Sequence, residues 1–250
     1  MMSIMAEENT QVALASYYRT ANATCGQILS ESLQFDAYGR LYRAHSAIGD
    51  FERWIQAIGP SREAELLSDA LREYQTALLA LLQGQYTSAF AELRLFLELG
   101  LASVYYSAHI VELHLFSAGE LDVNWSAFMD PETGIFSHTF ARAFNGELLD
   151  HVADYRGLAV RVYRECSEYI HGNANVRRKL PRNLTFSGEH YVSWNDKADA
   201  TRIVLLFALS LRWLRNLPVE SVRQVEAHVQ EELGNLPGIR SALGGSVEVL

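Results

Sequence analysis

Apolar residues recur at three- and four-residue spacing along most of the chain, the mark of amphipathic helices. The pattern predicts helices over residues 10–32 and 35–58, the second closed by Gly59 and Pro60. A third begins at Ser61, a good capping residue, and runs to residue 82. Beyond Gly84, a long apolar stretch predicts a helix over 86–117, followed by a loop over 118–125. Asp130-Pro131-Glu132 reads as a helix start with Pro at the first helical position. Further helices are expected over 147–171, 196–217 and 218–233. Leu184, Phe186, Tyr191, Val192 and Trp194 flank a Ser-Gly-Glu-His run and predict a short β-hairpin or irregular insertion near 183–195. The expected fold is an all-α bundle of about seven to nine helices carrying that insertion. Residues 1–233 are expected to form a single helical domain. Residues 234–250 form a C-terminal tail that packs loosely or docks on a partner.

Two of these helices carry polar groups that a core does not need. The stretch 86–116 is apolar almost all round, so it should lie at the centre of the bundle. At 100° per residue, Arg94, Glu98, Tyr105, His109 and Glu112 fall on one stripe of it. A charged stripe on a buried helix must be paired or must line a cavity. Arg94 and Glu98, one turn apart, suit either a buried ion pair that fixes register or the wall of a ligand pocket.

The second is 163-YRECSEYIHGNANVRRKLPRN-183 and the helix leading into it. Val152, Tyr155, Leu158, Ala159, Val162, Cys166, Tyr169 and Ile170 define a core face. Arg164, Ser167 and His171 lie on the opposite side, with Arg164 and His171 about 10 Å apart along the axis. A histidine before a glycine also suits a plain helix end, and Arg164 could pair with Glu168. Arg177, Arg178, Lys179 and Arg182 follow at once. They are either a solvated loop or a patch for phosphate groups.

Composition narrows the classes. Apolar residues make up 49% of the 250 positions and charged residues 20%, which excludes a disordered chain. The net charge of -9 argues against a surface built to coat nucleic acid and leaves room for a local basic site. Cys25 and Cys166 are the only cysteines and form no C-x-x-C pair, so a cysteine-based zinc site is not expected. His109-x-x-Glu112 and His151-x-x-Asp154 could each offer two metal ligands. Di-iron bundles use the reverse order with two further glutamates, so no metal is expected. Phosphate-binding glycine loops and nucleophilic triads are absent, and no cofactor is expected. The N-terminus lacks a basic segment followed by an apolar run, and the longest apolar run, 203–211, is too short for a bilayer. A cytoplasmic protein with no membrane partner is the expectation.

Arginine, six residues, then histidine on a late helix of an all-α domain resembles the R-x(4–6)-H motif of the HEPN superfamily. The segment 89-AFAELRLFLE-98 is similar to the LR-x-x-x-E segment of uncharacterised bacterial HEPN-like and abortive-infection-like proteins. The stretch 163-YRECSEYIHG-172 is similar to their Y-x-x-x-S-x-x-x-H helix end. The resemblance covers about residues 71–217. It implies a metal-independent endoribonuclease, acting as a toxin or phage-defence effector alongside a protein partner or antitoxin. It also implies a homodimer whose protomers bring their motifs together. His171 would be the general acid or base at the ribose 2′-hydroxyl, and Arg164 would stabilise the phosphorane. Ser167, Arg94 and Glu98 would support them, and Arg177, Arg178, Lys179 and Arg182 would hold RNA. The same resemblance admits a non-catalytic scaffold that assembles with a partner.

Overall fold

The computed structural model describes residues 2–35 and 39–245. The helical periodicity resolves into α1 (Met2–Phe35), α2 (Arg40–Ile58), α3 (Arg62–Leu82), α4 (Tyr86–Tyr106), α5 (Ile110–Ser117), α6 (Trp125–Phe128) and α7 (His138–Phe144). A 3-10 helix (Gly146–His151) leads into α8 (Val152–Ile170), α9 (Ala174–Lys179), α10 (Gly188–Trp213), α11 (Val219–Leu233) and α12 (Pro237–Ala242). The fold class is all-α, with no strand among the described residues. No helix there is long and apolar enough to cross a membrane.

The apolar girth of α4 puts it at the centre, with α3, α8 and α10 around it. Phe90, Leu93, Phe96, Leu97 and Leu101 of α4 are fully buried in one connected core. Gly100 lets α10 come close: a Cβ there would stand 2.7 Å from a Leu205 methyl. Two buried aromatics satisfy their polar tips against the backbone of neighbouring helices. Trp194 Nε1 donates to the Ala89 carbonyl at 2.9 Å, and Tyr74 Oη donates to the Ala44 carbonyl at 2.7 Å. Helix α2 lies on α3, α10 and α11, while α1 touches α3 and α10.

Several sequence expectations need correction. No β-hairpin forms near 183–195: residues 188–195 are the first two turns of α10. Ser187 caps that helix, and Tyr86 Oη fixes the cap by accepting its backbone N–H at 2.6 Å. Tyr191, Trp194 and Ala198, all buried, are therefore a helical face and not alternate strand positions. Asp196 lies inside α10 and does not open it. The expected helix over 86–117 breaks at 107–109, where Ser107 Oγ donates to the Val104 carbonyl and Arg212 grips Ser107 Oγ at 2.7 Å. The Asp130-Pro131-Glu132 segment forms a turn, not a helix start. Asp130 accepts the Glu132 and Thr133 backbone N–H groups and the Thr133 hydroxyl, and α7 begins later, capped by Ser137. The helix count rises to twelve among the described residues because α5, α6, α7, α9 and α12 are too short to show a period. In the tail, α12 docks on the body through buried Leu236 and Ile239. Residues 36–38 of the second expected helix and 246–250 of the tail lie outside the described residues.

One charged cluster, built around the buried Arg202 and His228, lies where α2, α10 and α11 meet. Arg53 pairs with Asp50 at 2.7 Å and Arg202 with Glu232 at 2.6 Å. His228 lies beside them with its Nδ1 3.8 Å from Asp50. That distance alone would suggest a charged imidazole. Burial, together with the Arg53 and Arg202 guanidiniums, instead pushes the His228 pKa down to about 4. These effects outweigh the Asp50 contact, because Asp50 already serves Arg53 at the shorter distance. The unfolded chain would titrate near the ordinary 6.5, so between pH 6.5 and 4 it binds a proton that the native state refuses. Stability should fall as the pH drops through that window, by on the order of 2–3 kcal/mol in total. Urea unfolding midpoints between pH 7.5 and 4.5 should therefore drop more steeply for the wild type than for His228→Phe; parallel slopes would refute this.

Candidate functional site

The polar stripe of α4 meets the end of α8. Arg94 and Glu98 stand one turn apart on α4, with a 3.2 Å ion pair between them, both largely shielded from solvent. The same guanidinium donates to Tyr163 Oη of α8 at 2.7 Å and sits 4.4 Å from the Tyr163 ring centroid. Its other terminal nitrogen, Nη1, lies 3.4 Å from Nε2 of His171. Trp125, at the start of α6, stacks on Tyr163 with ring centroids 3.9 Å apart, which holds the phenol in place. Burial and the Glu98 carboxylate push the Tyr163 phenol above its usual range, so it works as a neutral hydrogen-bonding group. Helices α4 and α8 thus contribute four groups to one cluster: a guanidinium, a carboxylate, a phenol and an imidazole.

His171 is the exposed residue that closes α8. Its backbone N–H donates to the Ser167 carbonyl at 3.0 Å, and Gly172 follows in the left-handed region at φ +70°. The helix-end reading of His171 is therefore correct for its backbone, while its side chain turns to Arg94. Ser167 is occupied locally, its hydroxyl donating to the Tyr163 carbonyl at 2.6 Å. The expected core face of α8 holds at Val152, Ala159, Val162 and Cys166, but Ile170 is exposed. Burial pushes the Cys166 thiol up to about 12, so it is no nucleophile.

Arg164 does not meet His171. It lines a separate cleft of about 450 Å³ between α8, α9 and α10. There Glu165 pairs with Lys197 at 3.2 Å and Lys179 with Glu189 at 3.7 Å, so cations and carboxylates balance. The basic run is only partly free. Lys179 is engaged with Glu189, while Arg177, Arg178 and Arg182 are exposed. Arg177 folds back toward the end of α8: its Nε would stand 3.7 Å from a Cβ placed on Gly172. A second guanidinium therefore lies next to the His171 turn.

No group of three histidine, cysteine or acidic side chains suited to a metal ion occurs among the described residues. His109 lies outside the α4 stripe. It precedes α5, stacks on Tyr105 at 3.8 Å and has its Nδ1 2.8 Å from the Tyr105 carbonyl. His151 ends the 3-10 helix, one turn before Asp154.

Sequence reasoning set Arg164 beside His171, where the structure brings Arg94, and it passed over Trp125. The i, i+4, i+8 spacing of Tyr163, Ser167 and His171 already marked the tyrosine, without giving it a role. Nothing local marks Trp125, whose role depends on how the 118–124 loop returns to α8. Fold and cluster together define an all-α protein with a guanidinium–imidazole site at the end of a buried helix pair. Neither protein-family models, nor curated proteins, nor solved structures return a match to the chain.

Proposed function

We propose that the chain is an HEPN-like, metal-independent endoribonuclease, acting as a toxin or defence effector, with its centre at Arg94 and His171. The observation that carries this reading is the 3.4 Å approach of Arg94 Nη1 to His171 Nε2 at an exposed helix end. In such a reaction the ribose 2′-oxygen bonds to the neighbouring phosphorus and the bond to the 5′-oxygen breaks. A proton leaves the 2′-hydroxyl and one reaches the departing 5′-oxygen. An imidazole at an exposed position can carry either transfer. A fixed guanidinium beside it can neutralise the extra charge on the phosphorane oxygens. Arg94 takes this role in our reading and replaces Arg164, which sits in the neighbouring cleft. Arg177, Arg178 and Arg182 then follow the RNA backbone as exposed phosphate contacts.

The test is total RNA incubated with the purified protein in EDTA. Fragments ending in 2′,3′-cyclic phosphate and beginning with 5′-hydroxyl are expected. A second reading, a non-catalytic scaffold of the same kind, is favoured by one observation: Glu98 and Tyr163 already occupy Arg94. Intact RNA at every protein concentration, with any bound protein partner present, would select that reading.

A further inference from the structure

Helix α1 leaves the body of the protein. Near its C-terminal end Ile28 and Ser32 are buried, with Ser32 Oγ donating to the Leu82 carbonyl at 3.4 Å. Towards its N-terminus that cover stops. Every side chain from residue 10 to 20 is exposed except the half-buried Ala15. Leu14 is 57% exposed, Tyr17 68% and Tyr18 64% on one side of the helix, and Val12 on the other side is 64% exposed, a degree of apolar exposure unusual for one short stretch of helix.

Two features of this arm identify what covers it. The first is a seam. Leu14, Tyr18, Ala21, Cys25, Ile28 and Ser32 alternate in steps of four and three, the spacing of a helix that packs lengthwise on another helix. The lower half of that seam is seated on the protein's own core, and the upper half runs on with no cover among the described residues. The second is charge. Between residues 10 and 35 only Arg19 and Glu31 are charged. A helix that lies on a membrane surface carries a face rich in lysine and arginine, which this one lacks. A strongly charged protein partner would likewise find nothing to pair with.

We propose that the exposed half of α1 packs against the same segment of a second copy of this chain, as a two-fold helix pair. The segment suits itself. In an antiparallel crossing centred between Tyr17 and Tyr18, Leu14 of one copy meets Ala21 of the other, large against small. Arg19 lies one position off the seam, so the two copies bring no like charges into the contact. Leu14, Tyr17 and Tyr18 share one side of the helix and offer about 400 Å² per copy; Gln11 and Ala21 on the same side bring two copies to about 1,000 Å², the lower bound for a specific interface. The contact contains no residue of the Arg94–His171 cluster and does not depend on the RNA reading.

The experiment is sedimentation equilibrium of the full chain from 1 to 100 µM, for the wild type and for Leu14→Glu/Tyr18→Glu. The wild type is expected at twice the 28.1 kDa chain mass. The double variant is expected at 28.1 kDa, with dimer affinity at least 100-fold weaker and an unchanged far-UV spectrum. A second variant, Tyr18→Cys with Cys25→Ser, should form a disulfide-linked dimer on oxidation. A monomeric wild type across the range overturns the proposal, as does a dimer that survives the double substitution. Binding of the wild type, but not the variant, to vesicles of anionic phospholipid also overturns it, in favour of a lipid surface.

Discussion

Arg94→Ala should lower RNA cleavage by about 10²–10³-fold, the size of a lost preorganised charge at a developing anion. His171→Ala should lower it by about 10²–10⁴-fold, the range of a lost acid–base group. Arg164→Ala should cost about tenfold or less, as expected of an exposed phosphate contact. The order of these effects is the test, since the structure places Arg94 and not Arg164 beside the imidazole. Single-turnover cleavage of end-labelled RNA measures all three. Equal losses for Arg94→Ala and Arg164→Ala would return the role to Arg164, and a wild-type rate for Arg94→Ala would end the proposal. Removing Arg94 also strips Glu98 of its 3.2 Å partner, so some stability loss is expected in that variant. Two conservative changes separate this from catalysis. Arg94→Lys keeps the charge but loses the fork that spans Tyr163 and His171, so an intermediate rate is expected. Tyr163→Phe removes only the oxygen at 2.7 Å, and the loosened guanidinium should cost activity with little change in thermal midpoint.

The long helices were legible because their apolar period is set by local geometry. Ser61, whose hydroxyl accepts the Ala64 N–H at 3.2 Å, begins α3 as its residue type suggests. The stripe of α4 was legible at Arg94 and Glu98 for the same reason. It failed at His109, because Ser107 and Arg212 take over the carbonyls at the end of α4, and Arg212 lies 105 residues further along. The hairpin expectation failed for a similar reason. The run before α10 has the aromatic spacing of a strand, and only Tyr86, from a distant helix, sets Ser187 as a cap. The site divides in the same way. Helix spacing correctly put Arg164 and His171 on the outer side of α8. It could not show that a guanidinium from α4 reaches across to the imidazole, since that depends on the packing of two helices. The cluster around Arg202 was invisible for that reason too: its members come from α2, α10 and α11, and no sequence spacing links the residues of one helix to those of another.

Arg202→Ala should destabilise the protein by about 2–4 kcal/mol, the cost of leaving a largely shielded carboxylate without its cation, less than for a fully buried one. Arg202 is almost fully buried, and its Nη1 lies 2.6 Å from Glu232 Oε1. Burial alone would pull its pKa down. The Glu232 hydrogen bond and charge, with help from Asp199, outweigh this and hold it above the usual value. Asp199 is less exposed to the loss, because Arg43 also reaches it at 3.4 Å. Glu232 is therefore the group left stranded. Arg202→Met with Glu232→Leu removes both charges at once and should recover most of the stability, since apolar pairs of similar volume commonly match or exceed buried ion pairs. Urea unfolding midpoints measure the single and double variants. A single variant within about 1 kcal/mol of the wild type would show that water reaches the cluster and screens it. The same substitution has a second consequence. Arg202 is one of the two guanidiniums that depress His228, so its removal should bring that histidine back towards 6.5. The pH-dependent loss of stability between 6.5 and 4 should then shrink in Arg202→Ala even as the overall stability falls. A merely steric role for Arg202 would leave that slope unchanged.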